Sequence, residues 1–302
     1  MTRLQANLLL LLAGAFWGMG FVAQSTAMES AGPFLFIGLR FVVATLVMLP
    51  FAWFEARRTH RVGAAPLQRG DLLRFGVVGL AMFSGMAAQQ VGLNHTSVTH
   101  SGFITGLYVV FTPIIMVLFL RRWPHPAVWP AVTLSFLGIA LLAGGRLESV
   151  TLGDLLTLLS AVCWAVQIVL IAQFVQGRGY PVMLATTQFA VVAVLGMVAG
   201  FLFDDVTWAA ATGAGTEILY TGIFAGALAF TLQVVGQRYT TAPQAVIFLS
   251  SEAPFAAAFG ALFLDERIGR MGLLGCVFIL VAMLMVELLP LRWRPTDGPT
   301  PA

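Results

Sequence analysis

The sequence predicts an all-α integral membrane protein: ten transmembrane helices arranged as two inverted five-helix repeats. Three observations carry that reading. Ten apolar stretches each approach the length of a bilayer crossing, the segments between them are short with no soluble domain inserted, and like residues recur in the same order in the two halves. A bilayer's hydrocarbon core is spanned by about 20 apolar residues in an α-helix. Hydrophobic residues make up 59% of the chain and charged residues 10%, where soluble domains carry about 25% charged residues. A length of 302 residues is compatible with two soluble domains, but the apolar runs exclude them.

The stretches lie near 6–27, 33–54, 73–93, 99–120, 127–144, 152–173, 181–203, 217–236, 242–264 and 271–289. The first has features of a signal peptide, with Arg3, a leucine run and Ala13-Gly14-Ala15, yet it stays apolar to Ala27. That is too long for a cleaved apolar region, so it reads as a retained span. The second opens at Pro33 and holds Arg40. The third offers Gly85, Gln89 and Gly92, and the fourth a polar stripe of Ser101, Thr105, Tyr108 and Thr112 at helical spacing. The fifth is almost wholly apolar. The sixth carries Trp164 and Gln167 and the seventh opens at Pro181. The eighth repeats a small-and-polar stripe (Gly222, Gly226, Ala229, Gln233, Gln237), the ninth holds Glu252 and Pro254, and the tenth closes near Glu287.

All 16 basic residues are arginine. With a cytoplasmic amino terminus, the inner turns and termini hold twelve of them: Arg3, Arg57, Arg58, Arg61, Arg69, Arg74, Arg121, Arg122, Arg178, Arg238, Arg292 and Arg294. Three (Arg146, Arg267, Arg270) fall outside and Arg40 lies in a span. The positive-inside rule therefore predicts both termini in the cytoplasm. The net charge of +3 and the pI near 9.3 reflect topology and contact with anionic lipid rather than a nucleic-acid partner. Cys163 and Cys276 sit in apolar stretches without a spacing motif, which argues for neither a disulfide framework nor a metal site. His95 and His100 are five residues apart, off the spacing that shares a helix face, so no metal pair is expected; His60 and His125 belong to turns. Asn94-His95-Thr96 is a formal glycosylation sequon in an outer turn.

When the second half is laid on the first, Trp17 falls on Trp164, Pro33 on Pro181, Arg40-Phe41 on Gln188-Phe189, Gln89 on Gln233 and Gly92 on Gly236. Pro113 meets Pro254 with a one-turn gap. Five spans per unit is an odd number, so the two copies cross the bilayer in opposite directions. Inverted repeats of this kind are the architecture of many secondary transporters, with the solute site near midplane between them. The first unit spans 6–144 and the second 152–289, divided at 144–151, and 290–302 is a cytoplasmic tail. Gly14-xxx-Gly18, Gly102-xxx-Gly106, Gly196-xxx-Gly200 and Gly222-xxx-Gly226 predict close helix packing.

The run Gly102-Phe103-Ile104-Thr105-Gly106-Leu107-Tyr108-Val109-Val110-Phe111-Thr112-Pro113 carries a resemblance, together with Gly38-Leu39-Arg40-Phe41, Ser251-Glu252-Ala253-Pro254 and Leu264-Asp265-Glu266-Arg267. In these residues, and over about 6–289, the chain resembles the EamA-type transporters of the drug/metabolite transporter superfamily. The resemblance implies transport of amino acids and their derivatives, purines, nucleotide sugars or other polar metabolites, mostly outward in bacteria. It points to a multi-pass protein of the bacterial inner membrane. Many members carry an acidic residue after the fourth span, where this chain has Arg121-Arg122, so that position has no acidic role here.

Polar residues at membrane depth must be paired or face a watery cavity. Arg40 lies seven residues beyond Pro33, roughly 10 Å into its helix. Its guanidinium suits a substrate carboxylate; the alternatives are a structural ion pair with Glu252 or a cap on helix carbonyls. Glu252 is the one acid well inside a span. It is placed to carry a proton, to bind a substrate amine, to pair with Arg40, or to act as a cap near Pro254, with Phe248, Phe255 and Phe259 as an apolar wall. The substrate-binding candidates are Trp17, Gln24, Arg40, Gln89, Tyr108, Trp164, Gln167, Gln233, Gln237 and Glu252. Helix packing, or interfacial anchoring for the tryptophans, is the competing reading. No catalytic residue, metal site or cofactor is expected.

These residues predict a secondary transporter that exports small polar metabolites such as amino acids, working as a monomer or homodimer in the lipid bilayer by alternating access. Uptake or exchange of a nucleotide-like or amino compound is the alternative within transport. A nucleotide-driven pump is not expected, since no GxxxxGK[ST] loop occurs. An intramembrane enzyme is disfavoured for want of HExxH or a serine–base constellation, and the repeat does not favour a receptor or scaffold.

Overall fold

Backbone amides and carbonyls have no water to bond in a bilayer, so a span satisfies them internally as helix. The computed structural model describes residues 1–28, 30–61, 66–95, 98–142, 151–175, 180–263 and 269–292, and among these the chain is helical without strands. The first repeat comprises α1 (Arg3–Ala27), α2 (Pro33–Arg61), α3 (Arg69–Leu93), α4 (Val98–Thr105), α5 (Tyr108–Leu120) and α6 (Val128–Leu142). The second comprises α7 (Leu152–Val175), α8 (Pro181–Phe203), short α9 (Trp208–Gly213), α10 (Gly215–Tyr220), a π-helical segment (Thr221–Leu228), α11 (Ala229–Gln237), α12 (Ala242–Leu249), α13 (Glu252–Phe263) and α14 (Arg270–Arg292). Seven helical runs, Ala242–Phe263 with its interruption among them, are long and apolar enough to cross a bilayer, and three shorter apolar helices complete the ten spans. The 264–267 stretch, Thr96, Arg146, Arg178, Arg267, Arg294, most of the 144–151 divide and most of the 290–302 tail lie outside the described residues, as do the side chains of His60, His100 and Glu287.

Three spans depart from continuous α-helix. The fourth is broken at Gly106-Leu107 and the ninth at Ser250-Ser251, and the eighth widens into the π segment. In the ninth span the missing N–H of Pro254 leaves the Ser250 carbonyl, one turn back and within the break, without its α-helical donor; Pro113 lies six residues beyond Leu107, inside α5. The Ser101–Thr112 stripe is consequently two half-helices rather than one face. Ser101 and Thr112 are buried in packing, with Ser101 Oγ 3.4 Å from Thr157 Oγ1 and Thr112 Oγ1 donating to the Tyr108 carbonyl at 2.8 Å.

Contacts between the halves follow a pseudo-two-fold relation. α2 lies along α8 and α6 along α14, while α3 on α7 mirrors α1 on α11, and α5 on α7 mirrors α1 on α13. At the α2–α8 crossing the backbones touch: a Cβ on Gly196 would lie 2.8 Å from Gly38 N, and one on Gly38 would lie 2.7 Å from Met197 N. Small residues allow such approach where lipid supplies no hydrophobic drive. The α1 pair does the same against the second break, because a Cβ on Gly14 would run into Ser251 Oγ and one on Gly18 would sit 2.7 Å from Ala256 N. Gly102 departs from the packing expectation; a Cβ there meets nothing within 4 Å.

Two carboxylates fasten the α2–α8 pair at opposite ends. Asp204, just past α8, accepts the Leu35 N–H at 2.7 Å in the first turn of α2. Glu55, late in α2, accepts Val182 N–H at 3.0 Å and Met183 N–H at 2.7 Å in the first turn of α8. Each helix opens on a proline (Pro33, Pro181) and its first free amides find an anion on the other repeat's helix, which also complements the helix dipole.

Candidate solute-binding cavity

The two breaks meet at the centre of the bundle. Tyr108 is the first residue of α5 and Glu252 the first of α13; the Tyr108 hydroxyl donates to Glu252 Oε1 at 3.1 Å. Around them is a cavity enclosing about 640 Å³ of free space, its opening to solvent included. Its walls come from both repeats: Trp17, Phe21, Gln24, Arg40, Phe41, Met86, Gln89, Thr105 and Tyr108 from the first, and Trp164, Ile168, Thr221, Ala225, Gly226, Phe230, Gln233 and Glu252 from the second.

Eight of the ten candidate residues named from sequence line this cavity: Trp17, Gln24, Arg40, Gln89, Tyr108, Trp164, Gln233 and Glu252. Gln167 and Gln237 do not. Gln167 is fully buried, where Nε2 donates to Gln188 Oε1 at 3.2 Å and Oε1 accepts from Gln233 Nε2 at 3.3 Å. Gln237 Nε2 donates to the Ile168 carbonyl at 2.9 Å. These amides form the cavity's closed floor, behind Gln233.

Most polar groups on the wall are held. Gln89 Nε2 donates to Thr105 Oγ1 at 2.8 Å, and Trp17 Nε1 donates to the Ala225 carbonyl at 2.9 Å inside the π segment. Gln24 Nε2 turns back to the Gly20 carbonyl at 3.3 Å, and Thr221 Oγ1 donates to the Glu217 carbonyl at 2.6 Å. Arg40 differs. Its Nη2 meets Met86 Sδ at 2.9 Å, its guanidinium carbon lies 4.9 Å from the centre of the Phe36 ring and 5.3 Å from that of Phe41, and its Nε has no partner among the described residues. The Arg40–Glu252 ion pair weighed from sequence is not formed, since Glu252 faces Tyr108.

Aromatic rings close the apolar side, with Phe230 at their centre. Its ring lies 4.7 Å from Trp17, 5.9 Å from Trp164, 6.2 Å from Phe41 and 6.3 Å from Phe189. Neither Phe230 nor Met86 stood out in the sequence, yet the register that lays Gln89 on Gln233 also lays Met86 on Phe230. Phe248, Phe255 and Phe259, expected as an apolar wall beside Glu252, are not among the residues that line the cavity. Phe255 and Phe259 stack on each other at 6.3 Å along α13, and Phe255 packs against Gly18 of α1.

A second, more polar cavity of about 1140 Å³, its opening included, lies at the end of the bundle that bears the N terminus. Arg3, Arg122, Trp123, His125, Gln173 and Gln244 are among its lining residues. On α7, Ile168 lines the central cavity and its neighbour Val169 the second. His95 is exposed in a turn, and Cys163 and Cys276 are separate free thiols. Among the described residues no group of three metal-ligating side chains occurs.

Comparison with known proteins agrees with this architecture. Residues 4–144 and 151–288 each match the EamA-like transporter family. An uncharacterized transporter of Archaeoglobus fulgidus is 32% identical over 287 residues, covering 95% of this chain and 87% of that protein. An uncharacterized transporter of Bacillus subtilis is 23% identical over 94% of this chain and 92% of its own length. A WAT1-related chloroplastic protein of Arabidopsis thaliana is 27% identical over 90% of this chain and 67% of its own length. A protein solved by crystallography shares the fold with a TM-score of 0.78 at 17% identity, covering 96% of this chain and 99% of that one.

Proposed function

The chain belongs to the EamA-like transporter family, a family of multi-pass membrane transporters of small solutes, and from that premise we propose that it exports small polar metabolites such as amino acids or their derivatives by alternating access. The single observation that carries this reading is the shared cavity: Trp17 and Trp164, Gln89 and Gln233 are repeat-related pairs around one space. Two units of like fold and opposite direction exchange conformations, so a site between them opens to one side and then the other.

In this reading the solute rests between Trp17, Trp164 and Phe230, with Gln89 and Gln233 as hydrogen-bonding groups and Glu252 as the proton carrier or the amine-binding carboxylate. The twelve-to-three arginine distribution supports a cytoplasmic N terminus and, with it, a second cavity open to the cytoplasm, in a protein of the bacterial inner membrane. The central cavity, reaching Gln24 near the far end of α1, then belongs to an outward-facing state. The Gln167–Gln188–Gln233 floor and Gln237 form the closed inner gate.

Export is tested by an untargeted comparison of metabolites in medium and cytoplasm with and without overexpression. A small polar solute enriched in the medium supports the reading; unchanged pools, or enrichment in the cytoplasm, remove the outward direction.

A further inference from the structure

The repeat relation is broken at one chemically decisive position. The residue that α8 presents as Gln188 is Arg40 in α2. Gln188 belongs to the amide floor, bonded to Gln167, whereas Arg40 lines the open cavity. Arg40 is only 5% exposed, and no carboxylate stands within 4.0 Å of it among the described residues. Its contacts are a thioether sulfur, a weak acceptor, and two aromatic faces, while Nε is left without an acceptor. A buried cation without a counterion is costly, and such charges are ordinarily paired. The neighbouring polar groups of the wall pair with each other, Gln89 with Thr105 and Tyr108 with Glu252, and Arg40 is bonded to none of them.

We propose that Arg40 is the receptor for a carboxylate of the transported solute, so that the cargo is an organic acid or zwitterion whose anion docks on the first repeat. The inference rests on the reading that this cavity holds the cargo. A planar guanidinium with donors in a fixed fork matches a carboxylate with two parallel hydrogen bonds, and the burial of Arg40 strengthens the attraction. The anion supplies what the protein withholds. Phe36, Phe41 and Met86 hold the guanidinium in place without neutralising it. Because the second repeat offers a neutral amide at the related position, the anion has one anchoring point, and the solute binds in one orientation.

Purified protein in lipid-free detergent is melted in the presence of acid–amide pairs: phenylalanine and leucine against their amides, and benzoate against benzamide. The wild type is expected to gain melting temperature with carboxylate concentration, with at least a tenfold weaker response to the matched amides. Arg40→Met is expected to abolish that preference while melting, without ligand, no lower than the wild type, since an unpaired buried charge is replaced by an apolar chain of similar reach. Arg40→Lys keeps a reduced preference. Equal responses to acids and amides in the wild type, no response to any carboxylate, or ligand-free destabilisation in both Arg40→Met and Arg40→Lys overturns the proposal and makes Arg40 a structural cation. An anionic lipid headgroup as the occupant is recognised by carboxylates stabilising only lipid-free protein and losing their effect when phosphatidylglycerol is added, and that outcome also overturns it. Carboxylate binding that needs Arg40, without solute movement in liposomes, leaves this inference and removes the transport reading; movement of solutes independent of Arg40 does the reverse.

Discussion

The Tyr108 hydroxyl donates to Glu252 Oε1 at 3.1 Å, and each residue is the first of the half-helix that follows a break in its repeat. One hydrogen bond therefore joins the discontinuities of the two repeats at the central cavity. Broken helices at membrane depth are tolerated where they line a cavity.

Glu252→Gln keeps the shape and removes the charge. If Glu252 carries the coupling proton, gradient-driven transport in liposomes is lost and solute exchange persists; if it holds a substrate amine, both fall. Tyr108→Phe lowers whichever activity depends on Glu252 by roughly ten- to a hundredfold, as expected for a hydrogen bond to a charged group of about 1.5–3 kcal/mol. Full activity of Glu252→Gln in both assays reduces the residue to a helix cap.

Single cysteines at Trp17, Gln89, Tyr108, Trp164 and Gln233 should react with small hydrophilic thiol reagents, with protection by solute. A cysteine at Gln237, held against the Ile168 carbonyl behind the floor, should react far more slowly. Uniform inertness at the five cavity positions in an active protein would point to packing instead.

The Asp204 and Glu55 clamps are expected to be worth about 1–2 kcal/mol each, the range for losing a cap at a helix N-terminus. Asp204→Ala and Glu55→Ala should each lower the melting temperature. The double variant should show the sum, because the clamps sit at opposite ends of a helix pair and share no partner. A double variant no worse than either single one would show that the two ends act as a unit.

Gly18→Ala places a methyl 2.7 Å from Ala256 N and Phe255 Cβ, an overpacking that costs about 1–3 kcal/mol. Because α1 rests there on the start of α13, activity should fall along with stability. Gly102→Ala enters open space and should leave both unchanged. Equal effects of the two substitutions would contradict the α1–α13 seating.

The spans and their duplication were legible because hydropathy and residue spacing record burial directly. Repeat symmetry brought Trp17 and Trp164 to one cavity. The breaks were not legible: the apolar stretches run on beyond both Gly106-Leu107 and Ser250-Ser251, and Pro113 stands six residues past Leu107, inside α5. Gln167 and Gln237 share helix faces with cavity residues, yet partners on other helices take up their amides. Glu55 and Asp204 read as ordinary charges at span ends, since their partners are backbone amides about 130 and 170 residues away in the chain, a distance that no local pattern records.

Solute movement by purified protein in nucleotide-free liposomes tests the central claim most directly. Vesicles loaded with a mixture of labelled amino acids and related polar metabolites are diluted into solute-free buffer. The account predicts that at least one solute leaves faster than from protein-free vesicles, chemically unchanged, and that Trp17→Ala and Trp164→Ala slow its exit. Retention of every solute, or recovery of a chemically altered product, would contradict it.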